Sequence, residues 1–501
     1  MSPRTVAVID IGSNSGRVTV LRLDESGAVE PLAEARVPLR LVRGVDRDGA
    51  LEDQSVEHAL RALADFRAVA TGAGVDEAIA VATAAVREAS NGPLFVRRIA
   101  NEIRLEIRIL DGAEEARYAA VGAIHDLDCD DGLLVDVGGG SMQLAQFQGR
   151  QVRRTWSLPL GALRLSDAFL TGDPPSAAEL SALHGHVQDC LSRADVPDLS
   201  SDAVLVGTGG TIRNLARIDR KATDYPIPHV HGYELSLSAV KQIVDLVAGR
   251  SMHKRGAIPG LNEDRTDSIV GGAVIFQALM DAVNAPMLLV SGQGLREGLG
   301  YGLLAPTMPG TDQVRHGALL GLARRFATWD RTVAERRKAI ASAVYCALEP
   351  SPDAKMREAL ESAALVLDIG RSVDYYRRFT HASDIVRTAN LAGWSHRAVA
   401  LLAATLWFGG GDKVRLKPFA PLLARADKAN IERAAATLAL ADHLEGRTIP
   451  GSPLNVNCER RQGGVLHLSV PLIAGGSLEG VQKRFENMTK HGLELVSRGT
   501  V

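Results

Sequence analysis

The chain has 501 residues, 46% of them apolar and 23% charged, and a formal net charge of −2. At ~100–200 residues per domain this length predicts two to four domains, and the composition excludes wholesale disorder. Cys129, Cys190, Cys346 and Cys458 lie far apart with no CxxC or CxxH spacing, which argues against a zinc ribbon, a redox motif or a disulfide framework and fits a reducing compartment.

The start of the chain runs straight into a strand pattern, without the basic head and apolar run of a leader. No apolar stretch reaches the ~18–20 residues of a membrane span. A cytoplasmic protein with no membrane partner is the expectation. Strand patterns follow at Thr5–Ile9, Ala78–Ala82, Glu106–Leu110, Leu133–Val137, Ala203–Val206 and Met287–Val290. Amphipathic helix patterns lie among them at Ser55–Thr71, Pro93–Arg104, Ala113–Ile124, Ser176–Arg193 and Ser238–Ala248. This alternation predicts an α/β architecture.

The run Ala305-Pro-Thr-Met-Pro-Gly-Thr311 breaks both helix and strand and predicts a domain boundary. Helix patterns dominate after it: Asp312–Thr328, Thr332–Leu348, Ala354–Val373, Ala382–Ala392, His396–Trp407, Pro418–Arg425 and Ile431–Leu444. Val465–Pro471 is the one strand pattern of this region. The expected domains are 1–125, 126–305 and 311–501, the last a helical domain with a small mixed tail.

An internal repeat divides the first 300 residues. Val8-Ile-Asp-Ile-Gly-Ser-Asn-Ser15 aligns without gaps with Leu134-Val-Asp-Val-Gly-Gly-Gly-Ser141, 126 residues later. Each copy is an apolar strand, an Asp, a Gly-rich turn and a Ser, followed by a second strand pattern (Arg17–Leu23 and Met142–Phe147). No GxxxxGK[ST] is present and no helix pattern follows these glycines, so neither a Walker loop nor a dinucleotide fingerprint fits. A tight turn instead exposes consecutive N–H groups, and glycine lets a phosphate approach them. Gly12, Ser13, Asn14 and Ser15 in the first copy, and Gly138, Gly139, Gly140 and Ser141 in the second, are the candidate phosphate-binding residues. Asp10 and Asp136 at the strand ends suit Mg²⁺, which takes one or two carboxylates plus phosphate oxygens and water. A third loop, Gly207-Thr208-Gly209, precedes a helix pattern whose N-terminus attracts anions. Arg17 and Arg87, and more weakly Arg265, are candidate phosphate contacts, since the guanidinium fork matches phosphate oxygens.

The loops together resemble the duplicated ATPase fold of actin, sugar kinases and heat-shock chaperones. More closely, the chain resembles the exopolyphosphatase / guanosine pentaphosphate phosphohydrolase family over essentially its whole length. The motifs are Asp10-Ile-Gly-Ser-Asn-Ser-Gly-Arg17, Ala82-Thr-Ala-Ala-Val-Arg87, Gly112-Ala-Glu-Glu-Ala-Arg117, Asp136-Val-Gly-Gly-Gly-Ser141, Ser157-Leu-Pro-Leu-Gly-Ala162, Gly207-Thr-Gly-Gly-Thr211, Pro259-Gly-Leu-Asn-Glu-Asp-Arg265 and Ser291-Gly-Gln-Gly-Leu-Arg-Glu-Gly298. The resemblance implies a duplicated actin-like (ribonuclease H-like) fold in two halves plus a mostly helical HD-like C-terminal domain. It implies Mg²⁺-dependent hydrolysis of a terminal phosphoanhydride of inorganic polyphosphate or of pppGpp, and a homodimer. It makes Glu115 the base that activates water and leaves Glu114 solvated or structural.

Two departures from the family pattern stand out. Gln143 occupies the position where the family has a Glu that helps hold Mg²⁺; its amide oxygen can ligate but brings no charge. In the C-terminal region the diagnostic His-Asp pair reads Leu367-Asp368. That domain is therefore expected to bind substrate or dimerise, without a second metal centre. At 4% aromatics no stacking platform for single-stranded nucleic acid is expected.

Four readings stay open: exopolyphosphatase, pppGpp 5′-phosphohydrolase, a small-molecule kinase of the actin fold, and a non-catalytic polyphosphate or alarmone sensor. The charge distribution bears on them. Residues 311–501 hold 27 Lys and Arg against 19 Asp and Glu, a net +8, while residues 1–310 carry −10. A basic helical domain beside an acidic, cation-binding cleft mildly favours a long anionic chain.

Overall fold

Alternating apolar strands and amphipathic helices fold into two mixed sheets, each grown from one copy of the repeat. The computed structural model describes residues 4–23, 29–200, 202–304, 308–448, 454–461, 464–471 and 478–497. By their internal contacts these form two units, Met1–Asp224 with Val230–Val314, and Tyr225–His229 with Arg315–Val501. Apart from Tyr225–His229, both α/β halves, expected over 1–125 and 126–305, lie within the first unit. Of the Pro-Gly boundary segment, residues 305–307 lie outside the described residues.

The first sheet contains β1 (Arg4–Ile11), β2 (Ser15–Leu23), β3 (Val29–Pro38), β4 (Glu77–Ala82) and β5 (Ile107–Ile109), in the order β3-β2-β1-β4-β5. The second contains β6 (Gly132–Val137), β7 (Met142–Gln148), β8 (Gln151–Leu158), β9 (Val204–Thr208), β10 (Tyr233–Ser236) and β11 (Met287–Val290), in the order β10-β11-β9-β6-β7-β8. In each sheet the leading strand pairs antiparallel with the next and parallel with a later one. Val6, Ala7, Val8 and Ile9 of β1 are all buried, as a strand covered on both faces requires. β3 and β8 are absent from the sequence-based strand set. Their residues are mostly part-exposed or exposed, so no buried face marks them, and hairpin pairing with β2 and β7 places them.

The repeat is kept in register. Asp10 pairs with Arg17 across the first hairpin and Asp136 with Gln143 across the second. Gly12 N–H donates to Ser15 O at 3.1 Å, and Gly138 N–H to Ser141 O at 2.9 Å.

Two helices exchange partners between the sheets. Helix Gly112–His125 closes the first half in sequence, yet its Ala116, Ala119, Ala120, Ala123 and Ile124 pack with Leu134, Ala145 and Phe147 of the second sheet. Leu299 of helix Leu295–Leu304, from the second half, packs with Val8 and Val81 of the first sheet. The helices meet at glycines: a Cβ built at Gly122 would overlap the Gly294 carbonyl, and one at Gly298 the Tyr118 carbonyl. The predicted helix Pro93–Arg104 ends instead at Arg98 and continues as a π turn over Ile99–Ile103.

The second unit is mostly helical, with helices Arg331–Leu348, Ala354–Val366, Arg378–Thr388, His396–Gly409 and Lys428–Glu445 around one apolar core. The predicted helix Ala354–Val373 changes to a 3-10 turn at Leu367–Ser372. Pro418–Arg425 forms no α-helix. Pro418 and Pro421 each remove a backbone donor, and only short 3-10 turns occur at Lys417–Phe419 and Arg425–Asp427. The expected single strand is one of three: β12 (Asn457–Arg460), β13 (Leu466–Val470) and β14 (Leu493–Ser497). Buried Asp368 pairs with Arg337 at 2.7 Å, and Arg337 also pairs with Asp442 at 3.0 Å.

Candidate active site

The two Gly-rich hairpins face each other. A Cβ at Gly139 would stand 2.8 Å from Asn14 Cβ, and one at Gly140 would stand 3.1 Å from Ser13 Oγ. Between the hairpins opens a cleft lined by Asp10, Gly12, Ser13, Asn14, Ser15 and Arg17 of the first repeat and by Asp136, Gly138, Gly139, Ser141 and Gln143 of the second. Thr208, Gly209, Arg265 and Glu115 also line it. Gly209 has φ +95°, and a Cβ there would stand 2.5 Å from Asp136 Oδ1. Only glycine meets both conditions without strain.

Three of the residues singled out in the sequence are not among those lining the cleft. Gly140 packs against Val42 and Ser13, and Gly207 against Leu288 and Ile212. The Arg87 guanidinium donates to Leu110 O at 2.6 Å and to Glu115 Oε2 at 3.4 Å.

The chain places Glu115 through a helix cap. Asp111 accepts a hydrogen bond from Glu114 N–H at 2.8 Å, and Glu114 accepts one from Asp111 N–H at 3.1 Å. This reciprocal box fixes the start of helix Gly112–His125 and commits Glu114 to it. The next residue, Glu115, is only 8% exposed. Burial raises its pKa to about 8; Arg87 pulls it down, while Asp136 and Asp10 push it up.

Asp10 and Asp136, both part-buried, sit near the C-terminal ends of β1 and β6. Burial raises both carboxyls, Asp136 to about 6. Asp10 Oδ1 is buried without a hydrogen-bond partner among the described residues. An orphaned carboxylate oxygen near a second, part-buried carboxylate is a hard-oxygen donor set that fits Mg²⁺. Among the described residues no cluster of three or more His, Cys, Asp or Glu side chains could enclose a metal. A cation here would complete its shell with phosphate and water, as Mg²⁺ does. Gln143, 1% exposed, donates its amide to Ser141 Oγ at 2.8 Å; its oxygen is the only end able to ligate.

Two cleft arginines escaped the sequence reading, Arg213 and Arg296. Arg296 lies in the Ser291–Gly298 motif, and Arg213 lies one turn into the helix after the third loop, which was the available signal. Arg213 donates to Gly209 O at 3.0 Å and Gly292 O at 2.9 Å, and Arg296 to Thr19 Oγ1 at 3.0 Å. Burial, then Arg296, lowers both Arg17 and Arg213, to about 8 and about 10. Burial and then Arg36 lower Arg265. Guanidiniums keep their protons in proteins, so this mutual repulsion is relieved by binding anions. Arg296 is the exception, held above its ordinary value against burial by Glu297 and Asp10.

The fold and this cleft define a duplicated actin-like α/β protein that presents two Gly-rich hairpins, carboxylates and guanidiniums to one cleft. The profile of the Ppx/GppA phosphatase family matches residues 19–306, and the chain belongs to that family. Exopolyphosphatase 1 of Mycobacterium leprae (strain TN) is 28% identical over 298 residues, covering 59% of this chain and 88% of the relative. The Exopolyphosphatase 1 of Mycobacterium tuberculosis (strain ATCC 25618 / H37Rv) matches at the same identity, with 86% of its length covered. The crystal structure of the Aquifex aeolicus Ppx/GppA family member superimposes with a TM-score of 0.53 at 29% identity, covering 61% of this chain and 97% of that one. An exopolyphosphatase structure from Cytophaga hutchinsonii shares the fold with a TM-score of 0.55 at 24% identity, covering 61% and 99%. No helix among the described residues is long and apolar enough to cross a membrane.

Proposed function

We propose that the protein is a Mg²⁺-dependent exopolyphosphatase that removes the terminal phosphate of inorganic polyphosphate. The observation that carries this reading is Glu115, a buried carboxylate held on the same cleft as two phosphate hairpins and Arg17, Arg213, Arg265 and Arg296. A kinase reading leaves the Glu114-Glu115-Ala116-Arg117 motif unexplained, and the chain is similar to proteins named exopolyphosphatase.

The chain end lies between the hairpins, where the N–H groups of the Ser13–Ser15 and Gly139–Ser141 turns and the hydroxyls of Ser13, Ser15 and Ser141 meet its oxygens. The four guanidiniums neutralise the charge that spreads over the phosphoryl oxygens in the transition state. Glu115 accepts the proton of the attacking water, a bond forms from the water oxygen to the terminal phosphorus, and the bond to the bridging oxygen breaks. Arg87 behind Glu115 keeps part of that carboxyl ionised near neutral pH. Asp10 and Asp136, with the Gln143 oxygen, would hold Mg²⁺, which when bound neutralises phosphate charge and the two carboxylates.

The homodimer and the cytoplasmic location implied by the resemblance belong to this reading; four free cysteines fit the latter. Sedimentation tests the dimer. The function itself is tested by phosphate release from polyphosphate with Mg²⁺, in parallel with pppGpp. Wild type should release phosphate, and Glu115→Gln should still bind polyphosphate without turnover. Preference for pppGpp in the same assay would replace the polyphosphate reading. Binding without release in wild type would favour a sensor.

A further inference from the structure

Arg265 reaches the cleft from a short turn, Glu263–Arg265, and is 7% exposed. Its guanidinium lies against the third loop: a Cβ at Gly210 would be 2.5 Å from Arg265 Nη2. The aspartates on either side of Arg265 are tied to the first half of the unit. Asp264 is ion-paired with Arg36. Asp267 is paired with Arg40 at 2.9 Å and with Arg43 at 3.3 Å. The same short segment is bonded to the first phosphate hairpin. Leu39 N–H and Arg40 N–H both donate to Asn14 O, at 2.9 and 3.0 Å, and Val42 N–H donates to Ser13 O at 3.1 Å. One stretch of backbone therefore connects the hairpin of the first repeat to the arginine turn of the second.

Arg40 sits at φ +53°. An L-residue is strained there, whereas glycine adopts that conformation freely. The backbone alone is best served by glycine; what arginine adds is its guanidinium on Asp267. That ion pair is partly open to solvent, with side-chain exposures of 39% and 15%. A pair of this kind contributes little to stability, too little to account for the strain.

We infer that Arg40, aided by Arg36 and Arg43, is a positioning residue for the phosphate chain. It holds the Glu263–Asp267 turn so that Arg265 faces the ligand seated on the Ser13–Asn14 hairpin. The inference deepens the exopolyphosphatase reading and rests on it for its substrate. Arg40 itself touches no substrate; it acts through Asp267 and Arg265.

The decisive variant is Arg40→Gly, which relieves the backbone while removing the guanidinium. It should melt at the wild-type temperature or above and still lose function. The expected kinetic result with polyphosphate is a rise in KM of about tenfold together with a fall in kcat, since Arg265 holds the chain in the ground state and helps neutralise the transition state. Arg40→Lys, which keeps the charge, should recover most of the loss, and Arg265→Ala should match or exceed it. A second readout needs no turnover: amide exchange over residues 261–268 should quicken in Arg40→Gly without ligand. Unchanged exchange there, or unchanged KM in a wild type that does hydrolyse polyphosphate, overturns the positioning role alone. Absence of wild-type hydrolysis removes the functional reading, and the exchange measurement still decides whether Arg40 holds the turn.

Discussion

Arg87 Nη1 stands 3.4 Å from Glu115 Oε2, and this contact opposes the burial that drives the carboxyl upward. With its pKa raised to about 8, Glu115 is largely protonated at neutral pH in the free protein. A base must be ionised to act, so kcat/KM should climb with pH through the titration of Glu115 and level off beyond it, at a lower pH when Mg²⁺ offsets the push from Asp10 and Asp136. Arg87→Met removes the cation that favours the ionised form, and should move the rising limb to higher pH. A pH–rate profile that does not move in Arg87→Met would separate Arg87 from the base.

The raised pKa of Glu115 also bears on stability. Glu115 binds its proton more tightly folded than unfolded, so its contribution is fully present below about 4.5 and is lost as pH rises toward about 8. Glu115→Gln keeps the shape and never ionises. The variant should equal wild type near pH 4 and exceed it near pH 9, by at most about 1.4 kcal/mol for each tenfold difference in proton affinity between the folded and unfolded chain. Urea denaturation at the two pH values, without metal, measures the difference.

Asp10 and Asp136 invite a parallel test. Desolvation raises both carboxyls, so their ionised forms cost stability until a cation meets them. Asp10→Asn and Asp136→Asn should therefore raise the melting temperature without Mg²⁺ and abolish the rise that Mg²⁺ gives wild type. Gln143→Glu adds a carboxylate across the hairpin from Asp136. It should lower the metal-free melting temperature and tighten Mg²⁺ activation; an unchanged titration would place position 143 outside the metal shell.

The crossing of helices Gly112–His125 and Leu295–Leu304 carries Glu115 and the Gly292–Glu297 loop to one cleft. At Gly298 an added Cβ meets the Tyr118 backbone carbonyl, which cannot swing away as a side chain could. Gly298→Ala should cost about 3 kcal/mol, the upper end for overpacking, visible as a lowered urea midpoint. Activity per folded molecule should fall as well, since the loop and the base move with the two helices.

Much of the site was legible in the residue order because it is built twice. The 126-residue offset pairs Asp10 with Asp136 and Gly12 with Gly138, and the structure repeats the pairing down to the turn hydrogen bonds. Glu115 came from the family resemblance; the charged, capped turn that its local sequence suggests is present too, made by Glu114. Arg213 and Arg296 were not legible, since an arginine on an amphipathic helix or in a glycine motif looks like any surface cation. The edge strand β3 was hidden for a related reason, having no buried face to set a period of two.

By itself the sequence determined the local units: strands that end in Asp, turns that only small residues can make, and a capped helix that starts beside Glu115. Each follows from contacts among neighbours along the chain. Tertiary structure alone decided which charges share one cleft. Arg87 came to rest beside Glu115, and Arg40 was joined to Asp267 across 227 residues of chain. Burial then set how those charges behave, lifting Glu115 and pressing Arg17 toward any anion. Desolvation depends on everything that packs around a group, and no local pattern encodes it.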